Sequence, residues 1–199
     1  MTSDQAPQRP SPDPHALAEP SAWVVRFASL IVPGARVLDV ACGRGRHAKY
    51  LAGRGCEVTA VDRDAQALAA IAGVSGVACF HADLESGSWP FRADSFDAVI
   101  VTNYLHRPLF RPISLSLRAG GVLLYETFMA GNERFGKPSN PDYLLRPHEL
   151  LGAFKELRII AFEQGVEREP VARAVQRLAA IAHLENAGPF PLPGALQID

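Results

Sequence analysis

The stretch Val37-Leu-Asp-Val-Ala-Cys-Gly-Arg-Gly45 joins a short apolar run ending in an acid to a glycine-rich turn, and a helix-compatible segment from Arg46 to Ala52 follows. No other feature restricts the fold as much. Glycine suits such a turn because a side chain would block the approach of a ligand to the backbone, and because a tight turn can demand positive φ. Gly43 and Gly45 meet both needs. A second apolar run, Glu57 to Asp62, also ends in an acid, and Asp62 follows Asp39 by 23 positions. That spacing fits a βαβ unit whose second strand delivers a carboxylate to a ribose.

The remaining pattern extends this unit into an α/β domain. Ser21 can cap a helix whose apolar positions Trp23, Val24, Phe27, Leu30 and Ile31 fall at helical spacing until Pro33-Gly34. Ala35 to Val40 reads as the first strand, Arg46 to Arg54 as a helix, Glu57 to Val61 as a strand, and Asp64 to Ala72 as a helix. Val77 to Phe80 is a third strand, and Phe96 to Val101 a fourth, which apart from Asp97 has the continuous apolar character of a parallel strand buried on both faces. A short helix over Ile113 to Leu117, a turn at Ala119 to Gly121 and a fifth strand over Val122 to Glu126 follow. Phe128 to Arg146 holds Gly131, Gly136, Pro138 and Pro141, and its length marks it as a flap over a substrate rather than a plain connector. Pro147 opens a helix through Leu150, Leu151 and Phe154; Leu157 to Phe162 is the next strand. Alanine content in Val171 to His183 favours a helix, but its place at a sheet edge favours a closing hairpin, and a strand is expected.

With 199 residues and 48% hydrophobic content the chain can bury a sizeable core, and one domain is expected over 21–187. Five prolines in residues 1–20 predict a disordered tail, and residues 188–194, Gly-Pro-Phe-Pro-Leu-Pro-Gly, open a second proline-rich tail over 188–199. Twenty basic and 21 acidic residues give a net charge of −1, which offers nucleic acid no general attraction. Cys42, Cys56 and Cys79 show no CxxC spacing, so reduced thiols in a cytoplasmic protein are expected. The N-terminal residues lack the basic-then-apolar pattern of an export signal, and no apolar run is long enough to span a membrane. His106, His148 and His183 have no HxxxH or HxH spacing, so no metal site is expected.

Taken in order, Val37 to Gly45, Asp62, His81-Ala-Asp83, Phe96 to Ile100 and Ala119 to Leu123 resemble the class I S-adenosylmethionine-dependent methyltransferases, nearest the tellurite-resistance-type small-molecule branch, over about residues 21–165. The resemblance implies a doubly wound, Rossmann-like, mostly parallel sheet of seven strands with helices on both faces, S-adenosylmethionine as cofactor and a small-molecule methyl acceptor. It implies that Asp39 and the backbone of Ala41, Gly43 and Gly45 hold the methionine end of the cofactor, that Asp62 accepts both ribose hydroxyls, and that Asp83 with Ala82 and Leu84 receives the adenine. Asn103 would line the cofactor cleft. Alanine stands at the family's first glycine position, Ala41, which the turn tolerates if that residue keeps a negative φ. The plainer reading of Asp62 is a helix N-cap, and of Asp83 a turn residue.

Acceptors in open α/β sheets meet the residues after the strand ends, here Asn103 to Arg107 and Tyr125 to Thr127. If the nucleophile arrives protonated, His106 or Glu126 can serve as general base, with Arg107 attracting an anionic acceptor and Tyr104 or Tyr125 packing beside the methyl. Against these stand a surface turn for His106-Arg107-Pro108 and core packing for Tyr125. Asn132, Glu133, Arg134 and Lys137 in the flap fit a polar or charged acceptor, or a solvated loop. Arg44, Arg46 and His47 read as solvated residues at a helix start. Two other functions remain open: a NAD(P)-binding oxidoreductase, because Gly43-Arg-Gly45-Arg-His-Ala48 satisfies the dinucleotide pattern, and a non-catalytic cofactor-binding module.

Overall fold

A computed structural model describes residues 19–169 and 171–182. Both proline-rich tails therefore fall largely or wholly outside the described residues, as do 183–187 of the expected domain. The described chain builds one sheet of seven strands in the order β3-β2-β1-β4-β5-β7-β6. Its parallel part comprises β1 (Arg36–Val40), β2 (Glu57–Asp62), β3 (Val77–His81), β4 (Phe96–Thr102) and β5 (Leu117–Phe128). β6 (Arg158–Glu167) and β7 (Arg173–Ile181) complete it as an antiparallel pair, with β7 hydrogen-bonded to both β5 and β6. The expected strand over Val171 to His183 is thus a strand; pairing on both sides outweighs its alanine content.

Alternation along the central strands divides the core in two. Val37, Ala98, Ile100, Val122 and Leu124 pack against α1 (Ala22–Phe27), α2 (Arg46–Gly53) and α3 (Ala65–Ala69). Leu38, Val40, Val99, Val101 and Leu123 pack against α4 (Phe110–Ser116) and α5 (Glu149–Ala153). Each fully buried Leu or Ile contributes on the order of 1.5–3 kcal/mol, so two such layers explain why strands this apolar sit at the centre. Ser21 caps α1 as expected, its Oγ accepting the Trp23 N–H.

Several boundaries differ from expectation; β6, expected to end at Phe162, runs on to Glu167. α3 ends at Ala69 and yields to turns before Gly73, which takes φ +86°. β5 begins at Leu117, five residues early, because Leu117 pairs with Phe96 before the register shifts and Val122 meets Ala98. The fourth helix starts at Phe110, ahead of Ile113, after a 3₁₀ turn over Arg107–Leu109. Between β3 and β4 no helix forms; Trp89 and Phe91 reach back instead, and Phe91 packs against Phe80 and Phe96 at centroid distances of 5.3 and 5.5 Å.

Candidate active site

The order of the sheet reverses between β1 and β4, and a cleft must open where the chain connections diverge to opposite faces. A cavity of about 570 Å³ lies there, at the C-terminal ends of β1 to β5. Its volume is in the range of small-molecule sites. Ala41, Asp62, Ala82, Leu84, Asn103 and Tyr104, all expected site residues, line it. Arg63, Glu85, Leu105, Thr127 and Phe128 add to the walls, and the flap closes the far side with Lys137, Pro138, Ser139, Asn140 and Tyr143.

The glycine turn is strained as well as open. Ala41 takes φ +51° and Asn103 φ +53°, so both strands flanking the reversal end in a left-handed residue. For Ala41 this overturns the negative φ expected: the chain must leave β1 sharply, and no glycine is there to make it cheap. Gly43 (φ +54°) would have open space around a Cβ, whereas a Cβ on Gly45 would lie 2.6 Å from Ile71 Cδ1. One glycine keeps the turn open; the other lets α2 approach the end of α3.

Asp62 binds the turn directly. Its Oδ2 accepts the Gly43 N–H at 2.7 Å and its Oδ1 the Asp64 N–H at 2.9 Å. The N-cap of α3 is Asp64, not Asp62. A carboxylate offers about four acceptor positions, so Asp62 keeps capacity for two hydroxyls at the cavity wall.

Asp39 lies behind the turn, 1% exposed, and does not line the cavity. Burial pushes its pKa up to about 7 against the lowering effects of the Ala48 N–H and Arg46. Its Oδ2 has no hydrogen-bond partner. Its contact is thus with the first turn of α2. His47 is another departure from expectation: it is buried rather than solvated, accepts the Ser21 N–H at Nε2 (3.1 Å), and meets Thr102 Oγ1 at Nδ1 (3.3 Å). Burial, with Arg46 nearby, lowers its pKa to about 3, so it is neutral.

The expected catalytic residues separate. Tyr104 alone reaches the cavity; its buried hydroxyl has no hydrogen bond, and burial, with Glu85 beside it, raises its pKa. Glu126 is fully buried on the α1 side of the sheet and ion-paired with Arg177 (2.6 Å) and Arg173 (3.4 Å). Its place in the sheet, two residues from Leu124 on the same face, turns it away from the cavity. Arg107 is committed to Glu149 and to two flap carbonyls, so it is not free to attract an acceptor. His106 is outside the lining. Tyr125 is core, packed on Phe110 and Phe154, and its hydroxyl donates to the Tyr104 carbonyl at 3.0 Å. Asp83 is exposed and its Oδ1 accepts the Glu85 N–H at 3.0 Å, which makes it a turn residue beside the lining Ala82 and Leu84. In the flap, Asn132 is buried and pinned, and Lys137 is the one of the four expected polar residues that lines the cavity. Among the described residues no cluster of His, Cys, Asp and Glu could hold a metal ion, and no helix is long and apolar enough to cross a membrane.

Comparisons with known proteins agree with this geometry. Residues 37–121 match a methyltransferase domain family. TehB from Haemophilus influenzae is similar in structure, with a TM-score of 0.69 and 18% identity over 80% of this chain and 61% of TehB. A SAM-dependent methyltransferase from Methanosarcina mazei has a TM-score of 0.64 and 16% identity over 80% of this chain and 97% of its own. The cyclase SpnF has a TM-score of 0.67 and 18% identity over 82% and 79%. No sequence among curated proteins matches. Residues 37–121 match the methyltransferase domain family, and the sheet they open has the fold of the S-adenosylmethionine-dependent methyltransferases.

Proposed function

We propose that the chain transfers a methyl group from S-adenosylmethionine to a small acceptor held between the β4 and β5 ends and the flap. The observation that carries this reading is the cavity at the strand reversal with Asp62 at its wall. The cofactor fits the residues present: Asp62 keeps acceptor capacity for the ribose hydroxyls, Ala82 and Leu84 flank a place for the adenine, and Ala41, at the wall where the glycine turn begins, borders a place for the methionine end, although Gly43 and Gly45 themselves do not line the cavity. Bound there, the cofactor would supply an activated methyl on a sulfonium, whose in-line transfer to a nucleophile would need no acid.

The protein's share is therefore positioning and the exclusion of water. Tyr104, Leu105, Thr127 and Phe128 form one wall for the acceptor, and the flap forms the other. Among the described residues no histidine lines the cavity, and an acceptor that arrives protonated has the Glu85 carboxylate at the wall, or water, to take its proton. Asp39 buttresses the turn through α2 in place of touching the cofactor. Among the described residues the three cysteines are free thiols, which suits a reducing, cytoplasmic setting.

The oxidoreductase reading is weaker. Dinucleotide-binding sheets of this order run parallel to the edge, whereas here antiparallel β7 sits between β5 and β6. Calorimetry with S-adenosylmethionine, S-adenosylhomocysteine and NADH, followed by turnover on a panel of a thiol, a phenol, a carboxylic acid and an amine, tests both. Binding of the sulfur compounds with methylation of one acceptor supports the proposal. Binding of NADH alone would replace it, and tight binding of S-adenosylhomocysteine with no turnover would favour a non-catalytic module.

A further inference from the structure

The flap is anchored on both sides of the residues that face the cavity. On the near side Asn132 accepts the Ala174 N–H through Oδ1 at 3.1 Å and donates from Nδ2 to the Pro138 carbonyl at 3.0 Å. That fixes the flap to β7. On the far side a single guanidinium does the same work. Arg107 directs Nε and Nη2 to the two carboxylate oxygens of Glu149, at 2.6 and 3.0 Å. Nη1 and Nη2 also donate to the carbonyls of Asp142 and Leu144, at 2.7 and 2.9 Å. Glu149 Oε2 in turn accepts the Arg146 N–H at 2.7 Å, so the carboxylate holds the end of the flap as well as the arginine.

Position gives this cluster its meaning. Arg107 lies two residues after Leu105, in the segment that supplies Asn103, Tyr104 and Leu105 to one wall of the cavity. The carbonyls it grips belong to the turn that carries Tyr143 to the opposite wall. One side chain therefore joins the two walls.

We propose that Arg107, clamped by Glu149, is a positioning residue that sets the distance between the β4 wall and the flap, and so selects which acceptor the cavity takes. This rests on reading the cavity as the acceptor site. A forked guanidinium is required because four N–H groups point in fixed directions at three partners, which the point charge of a lysine cannot reproduce. The Asp62 carboxylate is hydrogen-bonded to Gly43 and Asp64, away from the latch, so the latch acts on the acceptor and leaves the cofactor alone.

The test uses the full chain as wild type, R107A, R107K and E149Q, with S-adenosylhomocysteine as the cofactor probe. Amide hydrogen exchange reads the latch at Asp142, Tyr143, Leu144 and Arg146, whose N–H groups are bonded within the flap and to Glu149. Loss of charge-assisted hydrogen bonds should speed exchange there by about ten-fold or more in R107A, while S-adenosylhomocysteine affinity stays within about two-fold. R107K, which keeps the charge and loses the fork, should restore only part of the protection. On an acceptor that the wild type methylates, KM should rise about ten-fold with kcat little changed. Unchanged exchange in R107A would overturn the proposal; so would an equal rise across β1 and β4, which marks a merely structural residue. Failure of the wild type to bind S-adenosylhomocysteine would sink the methyltransferase reading instead, and the exchange at the flap would still decide the latch.

Discussion

The carboxylate of Asp62, at the tip of β2, holds the backbone N–H of Gly43, just past the tip of β1, at 2.7 Å. One side chain thus both shapes the glycine turn and faces the cavity. Asp62→Ala should weaken S-adenosylmethionine binding by about 1.5–3 kcal/mol, roughly ten-fold to over a hundred-fold. Asp62→Asn, which can still accept the Gly43 N–H through its amide oxygen, should lose less. Calorimetry on the two variants checks the order; equal losses would mean that the charge, not the turn, carries the effect.

Ala41→Gly should stabilise the protein. A left-handed alanine costs about 1–2 kcal/mol, and the greater freedom of glycine in the unfolded chain returns about 0.5–1 of that. The net gain is about 0.5–1 kcal/mol, or a few degrees in melting temperature for a domain of this size. Urea denaturation of the variant gives the sign directly, and a loss of stability would show that the alanine methyl packs well enough to outweigh its strain.

Asp39 and His47 should impose opposite pH dependences. Folding raises the Asp39 pKa from 3.8 to about 7, so the folded state holds the extra proton and stability falls as pH rises through that window. Folding lowers the His47 pKa from 6.5 to about 3, so the unfolded state holds the extra proton and stability falls as pH drops through that window. Between pH 4 and 6.5 the two slopes, each about 1.4 kcal/mol per pH unit, nearly cancel. Relative to wild type, Asp39→Asn should gain stability as pH rises across this range and His47→Gln should lose it. Denaturation series at pH 4.5, 5.5 and 6.5 read these differences free of the groups common to all three proteins.

Much of this site could be read from strand ends. Asp62 stands where a βαβ spacing places it, directly beyond an apolar run, whereas Ala82, Leu84 and Asn103 were legible through the resemblance to the methyltransferases. What escaped depends on pairings distant in the chain. The burial of His47 follows from the Ser21 N–H, 26 positions away, and the removal of Glu126 from catalysis follows from Arg177, 51 positions away. No local pattern shows such register. Lys137 could be named as a candidate, but the flap residues Ser139 and Tyr143 could not, because the anchors at Asn132 and Arg107 decide which part of the flap faces inward. The left-handed Ala41 was misjudged for the reason alanine usually is: nothing in its own chemistry asks for positive φ.

Glu126→Gln should reveal a structural carboxylate. Arg173 and Arg177 keep Glu167 as a partner, so replacing the fully buried carboxylate by a neutral amide should cost about 1.5–3 kcal/mol, the range of a hydrogen bond to a charged group. Replacing both ends, as Glu126→Leu with Arg177→Met, should recover much of it. A Glu126→Gln protein of normal stability that has lost turnover would return Glu126 to the role of general base.

β7 follows β6 in the chain yet lies between β5 and β6 in the sheet. Its partners are spread over everything made before it: the Trp23 indole donates to the Leu178 carbonyl, Asn132 accepts the Ala174 N–H, Glu126 meets Arg177, and Gln176 Oε1 accepts the Leu150 N–H. As the chain leaves the ribosome, β1 to β5 can assemble in order, but β6 has no neighbour and the first helix, the flap and α5 each lack a contact. β6 reaches the sheet through β7 alone, so the two dock on β5 as one antiparallel pair, and that docking also makes the contacts of the first helix, the flap and α5 with β7.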